Sequence, residues 1–209
     1  MSHADALAAI EVGLDVAAGL VASGRQLVGV GEMGIGDTTA ASAVVAAMTG
    51  RPAHDVTGRG TGIDDAKLAA KVGLVERALS VNAPDPRDLV AVLAAVGGLE
   101  IAGLVGLILG VGAARVPIVL DGFITGAAAL VAVALAPNLA GRLVAAHCST
   151  EPGHAIVLEA LGLVPLLRLD LRLGEASGAA LAISLLDAAC CVRDEMATFA
   201  AAGVADRDD

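Results

Sequence analysis

Two carboxylates stand inside glycine-dense turns, where a side chain can be offered to a ligand with the backbone close behind it. Glu32 lies in Gly31-Glu32-Met33-Gly34-Ile35-Gly36-Asp37-Thr38-Thr39, and Glu175 in Gly174-Glu175-Ala176-Ser177-Gly178. Glycine lets the chain approach a ligand, and a helix N-terminus offers unpaired N–H groups to an anion. The first run follows Leu27-Val28-Gly29-Val30 and precedes the small residues Ala40 to Met48, an order that reads strand, tight loop, helix. Gly31 and Gly36, with Thr38 beyond them, have the spacing of a triphosphate loop, but Asp37 stands where that loop needs its lysine. A carboxylate there repels a triphosphate, which excludes an ATPase. A plain strand-to-helix corner is the alternative reading of the turn. Glu175 opens the last helix, so it either favours the helix dipole or acts as a general base in an apolar pocket. Residue type and position leave both open.

The other residues able to do chemistry are Lys71, Glu100, Asp121, His147, Glu151 and His154. Lys71 sits mid-helix after a second glycine run, Gly58-Arg59-Gly60-Thr61-Gly62, and a solvated face is its plain reading. Glu100 interrupts an apolar run and is therefore half-buried or on a lip. Asp121 in Asp121-Gly122-Phe123 is either a turn residue or a ligand contact. His147 and His154 flank a Glu151-Pro152-Gly153 turn without an evident third partner, so no metal site is expected.

These residues need elements to position them. Leu7, Ile10, Leu14, Ala17 and Val21 step by three and four, which predicts an amphipathic first helix closed by Gly24. Strands are expected at Leu27–Val30, Val116–Leu120, Leu143–Ala146 and Leu166–Leu169. Helices are expected at about 38–48, 65–80 with Asp64 as cap, 87–113 divided at Gly97-Gly98, 123–136, up to Leu161, and 178–196. The tail Asp206-Arg207-Asp208-Asp209 is expected to fray. Apolar strands alternating with helices predict an α/β fold, an open and mostly parallel sheet, doubly wound and Rossmann-like, with helices on both faces. Ligands sit beyond the carboxyl ends of such strands, and Glu32, Asp121 and His147 all follow strands.

Composition narrows the function. The chain has 209 residues, a size for one domain, and a formal net charge of −10, which argues against a nucleic-acid groove. The long apolar stretches 89–113 and 116–136 raise a membrane reading. Glu100, Asp121 and Pro117 inside them, and the absence of Trp and Tyr, oppose it. Three cysteines do not make a disulfide framework, which points to a reducing cytoplasm with the thiols as buried small hydrophobes.

Taken together, six stretches resemble one family, the nicotinate-nucleotide–dimethylbenzimidazole phosphoribosyltransferases of cobalamin biosynthesis. They are the two glycine runs at 31–39 and 58–62, Val96-Gly97-Gly98-Leu99-Glu100-Ile101, Val119-Leu120-Asp121-Gly122-Phe123, Glu151-Pro152-Gly153-His154 and Leu171-Arg172-Leu173-Gly174-Glu175. Their order is the family's, and they cover nearly the whole chain. The resemblance implies transfer of phosphoribose from nicotinate mononucleotide to 5,6-dimethylbenzimidazole, giving α-ribazole 5′-phosphate and nicotinate, without metal or cofactor. It implies that Glu175 is the catalytic base and that Glu32 and Lys71 are the other active-site acid and lysine. It also implies substrate binding by Gly34, Gly36, Asp37, Thr38, Gly60, Gly62, Asp121 and Gly122. A small helical lobe and a cytoplasmic homodimer follow from the same likeness. A non-catalytic nucleotide-binding or regulatory subunit of a split enzyme is the alternative. Two departures stand out. Asp37 replaces the family's usual Asn. Relatives also carry a long segment before the point matching residue 1, so residues 1–209 are expected to be a single domain shortened at its N-terminus, with a second chain as one source of the missing half.

Overall fold

Ile118, Val119 and Leu120 are apolar and buried on both sides, as a central parallel strand requires. In the computed structural model, which describes residues 1–204, they form β2 (Ile118–Leu120), flanked by β1 (Val28–Val30) and β3 (Leu143–Ala145). All pairing is parallel in the order β1-β2-β3, with Val28 opposite Ile118 and Ile118 opposite Leu143. The expected tail lies outside the described residues.

Residues of the strands alternate between two layers. Val28, Val30, Ile118, Leu120 and Leu143 face the larger core, which runs through helices α1 (His3–Ala22), α2 (Asp37–Thr49), α3 (Ala53–Val56), α4 (Asp65–Asn82), α5 (Leu89–Val96), α6 (Leu99–Ala113), α7 (Phe123–Leu135) and α8 (Pro152–Leu161). Val119 faces the other way, with Ala146, onto Ala179 and Ala182 of α9 (Ser177–Glu195). Both faces of the sheet are therefore covered, as the alternation of elements predicts. Gly29 has no side chain on the α9 side, and a Cβ there would stand 3.0 Å from Ile183 Cδ1. Asp64 caps α4 by accepting from the Lys67 N–H at 2.8 Å, and α5 and α6 divide at Gly97-Gly98 as expected.

Four expectations need correction. Leu166–Leu169 is not a strand. It makes one parallel bridge, His147 to Leu167, with Leu166 and Leu167 donating to Ala145 and Ala146 carbonyls at 3.0 Å. Pro165 before it and Asp170 after it, at φ 52, limit the regular run. The buried stripe of α1 is Ala6, Ile10, Gly13 and Ala17, whereas Leu7 and Leu14 are 42% and 39% exposed. Close approach decides this. A Cβ on Gly106 of α6 would meet the Ile10 carbonyl carbon at 2.8 Å, so backbone contacts rather than large side chains set the α1–α6 interface. Cys190 and Cys191 are exposed and Cys148 is half-buried, all three free, so the thiols are not core hydrophobes. Finally, α3 and the 3₁₀ helix Pro137–Arg142 lie outside the expected helices; Pro52 and Pro137 stand at their starts, where proline's missing N–H costs nothing. Among the described residues no helix is long and apolar enough to cross a membrane.

Candidate active site

The carboxyl ends of β1 and β2 and the start of α9 meet at one place. Leaving β1, Gly31 lies against the backbone of Ala176, where a Cβ would stand 2.6 Å from the Ala176 Cα. The Glu175 N–H donates to the Glu32 carbonyl at 3.1 Å. Gly174, Glu175 and Ala176 are all left-handed, at φ 75, 58 and 58. Left-handed backbone is costly away from glycine and persists only where surrounding contacts impose it. Glu175 is exposed and Glu32 half-buried.

Glu32 sits among other acids. Burial pushes its carboxyl up to about 8, and the neighbouring acids Asp37, Glu100 and Asp121 add to the effect. This favours the protonated form of Glu32. Asp37 opens α2, where its Oδ1 accepts from the Thr38 N–H at 2.9 Å and its Oδ2 is buried without a partner. Glu100 folds back over Gly98, with its carboxyl carbon 2.5 Å from where a Gly98 Cβ would be. Gly36 caps α2 at φ 87, while Gly34 is exposed beside Asp37.

Lys71 does not point into solvent. From α4 its Nζ donates to Thr38 Oγ1 at 2.9 Å and to the Gly58 carbonyl at 3.0 Å. Burial pulls the ammonium below its ordinary value, against the attraction of Glu151 and Asp37. This lysine joins the first glycine loop to the second. Gly60, at φ 54, donates its N–H to Glu151 Oε1 at 2.7 Å, and Gly62, at φ 114, lies beside Arg172. Glu151 Oε2 is buried without a partner, and the Glu151 carboxyl carbon is 2.6 Å from the Cβ that Gly58 lacks.

Asp121 is only 2% exposed. Its Oδ1 accepts from the Ala179 N–H at 3.0 Å and lies 3.7 Å from His147 Nε2. Burial pushes this carboxyl up, but the nearby His147 imidazole and the N–H groups at the start of α9 prevail, and it stays below its ordinary value. Gly122 lies beside His147. His154 is buried, which holds its imidazole down at about 4, and its Nδ1 accepts from the Ser149 N–H at 2.9 Å. Among the described residues no group of three or more His, Cys, Asp or Glu is placed to hold a metal ion.

The structure thus brings together Glu32, Asp37, Asp121 and Glu175 at the strand ends, and Thr38, Gly60 and Lys71 beside the second loop. Sequence reading counted Glu151 and Glu100 among the residues able to do chemistry but gave neither a partner. The signal for Glu151 was present in its Glu-Pro-Gly-His motif, but its contact with Gly60 spans 91 residues.

Acids at the strand ends, next to a lysine held between two glycine loops, stand where open α/β sheets take their ligands. The chain belongs to the phosphoribosyltransferase family, whose profile matches residues 1–204. It is 60% identical over 209 residues to the nicotinate-nucleotide–dimethylbenzimidazole phosphoribosyltransferase of Chloroflexus aggregans, covering 100% of this chain and 59% of that protein. The Geobacter metallireducens protein of the same name is 54% identical over 204 residues, covering 98% of this chain and 58% of that protein. The crystal structure of CobT from Thermus thermophilus superposes with a TM-score of 0.94 at 46% identity, covering 99% of this chain and 62% of that one. The chain thus spans about 59% of the length of the curated relatives it matches.

Proposed function

We propose that the site transfers phosphoribose from nicotinate mononucleotide to 5,6-dimethylbenzimidazole, releasing nicotinate and α-ribazole 5′-phosphate. The observation that carries this reading is the Glu175–Glu32 backbone bond, which mounts two carboxyl groups of unlike surroundings at the strand ends. The pyridinium-type leaving group needs no strong acid. The attacking benzimidazole must lose its N–H proton, and an exposed carboxylate at Glu175 serves as that base. Glu32, protonated up to about pH 8, serves as a hydrogen-bond donor rather than a second base. Lys71, with the N–H groups of the loops holding Gly34, Gly36, Gly60 and Gly62, takes the phosphate. Thr38 and Gly122 line the same edge. The names of the relatives support the substrates. Three free cysteines fit a reducing cytoplasm, and exposed apolar side chains such as Val12, Val16, Leu181 and Leu185 fit a homodimer.

The test is product formation. Purified chain is incubated with nicotinate mononucleotide and dimethylbenzimidazole, and α-ribazole phosphate is sought by chromatography. Product from the parent and none from folded Glu175→Gln supports the reading. Equal turnover by both removes Glu175 from the chemistry.

A further inference from the structure

Helix α9 starts without a local cap. No side chain of its own neighbourhood accepts from its first turn, and its N-cap, Ala176, is left-handed. The donor left over by that arrangement, the Ala179 N–H, instead meets Asp121 Oδ1 at 3.0 Å, from a residue 58 positions earlier. The acceptor is itself fixed. The Asp121 N–H donates to the Val30 carbonyl at 3.2 Å, so the residue is pinned to the end of β1 as it leaves β2. On its far side stands His147. Gly178 makes this possible, because a Cβ there would fall 2.7 Å from His147 Nε2 and 2.9 Å from Asp121 Oδ1.

A negative group at an uncapped helix N-terminus is stabilising, and the interaction is stronger where solvent is excluded. Asp121, His147 and Ala179 are each no more than 2% exposed. The turn that this cap adjoins needs such support. Gly174, Glu175 and Ala176 are consecutive left-handed residues, two of them not glycine. Gly31 and the Glu32 carbonyl hold the turn from the β1 side. The α9 side has no other described side-chain bond to hold it.

We infer that Asp121 is a positioning residue for Glu175: by capping α9 from the end of β2, it fixes the start of that helix and the left-handed turn from which Glu175 projects. The assignment of Glu175 as the base rests on the function proposed above. The capping geometry does not. Asp121 therefore acts through Glu175 rather than by touching substrate.

The test uses the whole 209-residue chain. In the unmutated protein, a through-hydrogen-bond coupling between the Ala179 amide nitrogen and the Asp121 carboxyl carbon is expected, and its absence overturns the inference. Asp121→Asn keeps an acceptor, whereas Asp121→Leu keeps bulk without one. Asn is expected to hold amide-exchange protection at residues 175–179 within about threefold, and Leu to lose about tenfold or more there. In turnover, Leu is expected to lower kcat by about 100-fold with KM for both substrates nearly unchanged, and Asn to restore most of it. A rise in KM with kcat preserved would make Asp121 a substrate contact and overturn the inference. So would equal loss in both variants. A chain with no turnover at all defeats the proposed reaction while leaving the coupling and exchange readings decisive for the cap. If Leu does not fold, the coupling and Asp121→Asn decide alone.

Discussion

Glu175 and Glu32 are joined through their main chains, the N–H of one donating to the carbonyl of the other at 3.1 Å, so neither carboxyl group is consumed in holding the pair together. The junction is kept tight by Gly31, whose missing side chain is replaced by the backbone of Ala176. Gly31→Ala brings Cβ against backbone, which no rotamer change relieves. The variant is expected to be destabilised by about 1–3 kcal/mol and to lose at least about tenfold in turnover. Gly19→Ala is the control. It lies inside α1 with nothing within 4 Å of its Cβ position. A gain of about 0.5–1 kcal/mol is expected there. Thermal melts of the two variants check both, and a Gly31→Ala protein as stable and active as the parent would show that the loops are not locked at this contact.

Glu32 makes stability depend on pH in a stated direction. Its ordinary value is 4.5 and its value in the fold is about 8, so between these the folded chain holds a proton that the unfolded chain has released. That contribution is full below 4.5 and is lost as pH rises toward 8. Glu32→Gln is expected to flatten this segment of the profile. Urea midpoints at about pH 5 and about pH 8.5, in parent and variant, measure it. A parent profile as flat as that of the variant would remove the buried proton.

His154 works in the opposite sense. Burial holds it at about 4 against an ordinary 6.5, so its neutral form is the folded one. Its contribution is present above 6.5 and is lost as pH falls toward 4. The same neutral Nδ1 orders the loop after β3 by accepting from Ser149. His154→Leu is expected to cost about 1–3 kcal/mol at neutral pH, from the unpaired Ser149 N–H, while losing the acid-side decline. NMR titration of the ring gives the direct check; an imidazole that titrates near 6.5 contradicts the account.

The sequence foretold much of this arrangement, and where it failed the causes are physical. The three strands were legible because each is a short apolar run that gives way to a glycine or a polar residue, at Gly31, Asp121 and His147. Helix starts were legible where a side chain caps them, as Asp64 does. The packing of α1 was not, because large apolar residues at helical spacing suggested Leu7 and Leu14, whereas glycines on α6 let the smaller residues come closest. The burial of Lys71 could not be read either. Its partners, Thr38 and the Gly58 carbonyl, lie 33 and 13 positions away, and nothing local distinguishes it from a lysine on a wet helix face. The Asp121 cap on α9 could not be read, because its partner, a backbone N–H at Ala179, carries no sequence signature.

Asp37 stands where the resemblance leads one to expect Asn, and its surroundings give the acid a consequence. Its Oδ1 accepts from Thr38, its Oδ2 has no partner, and its charge helps hold the proton on Glu32. An amide in the same place keeps the acceptor for Thr38 and adds N–H donors that suit an ionised Glu32. Asp37→Asn is therefore expected to lower the Glu32 value from about 8 toward the ordinary range, moving the alkaline limb of any turnover profile with it. It also removes a negative charge from the first turn of α2, beside the Lys71–Thr38 pair. Nicotinate mononucleotide is expected to bind about two- to fivefold more tightly to the variant at low salt, and the gain to shrink as salt is added. Calorimetric titration at two ionic strengths separates the outcomes. Tighter binding that ignores salt would mean a change of shape rather than charge, and unchanged binding would place the phosphate away from α2.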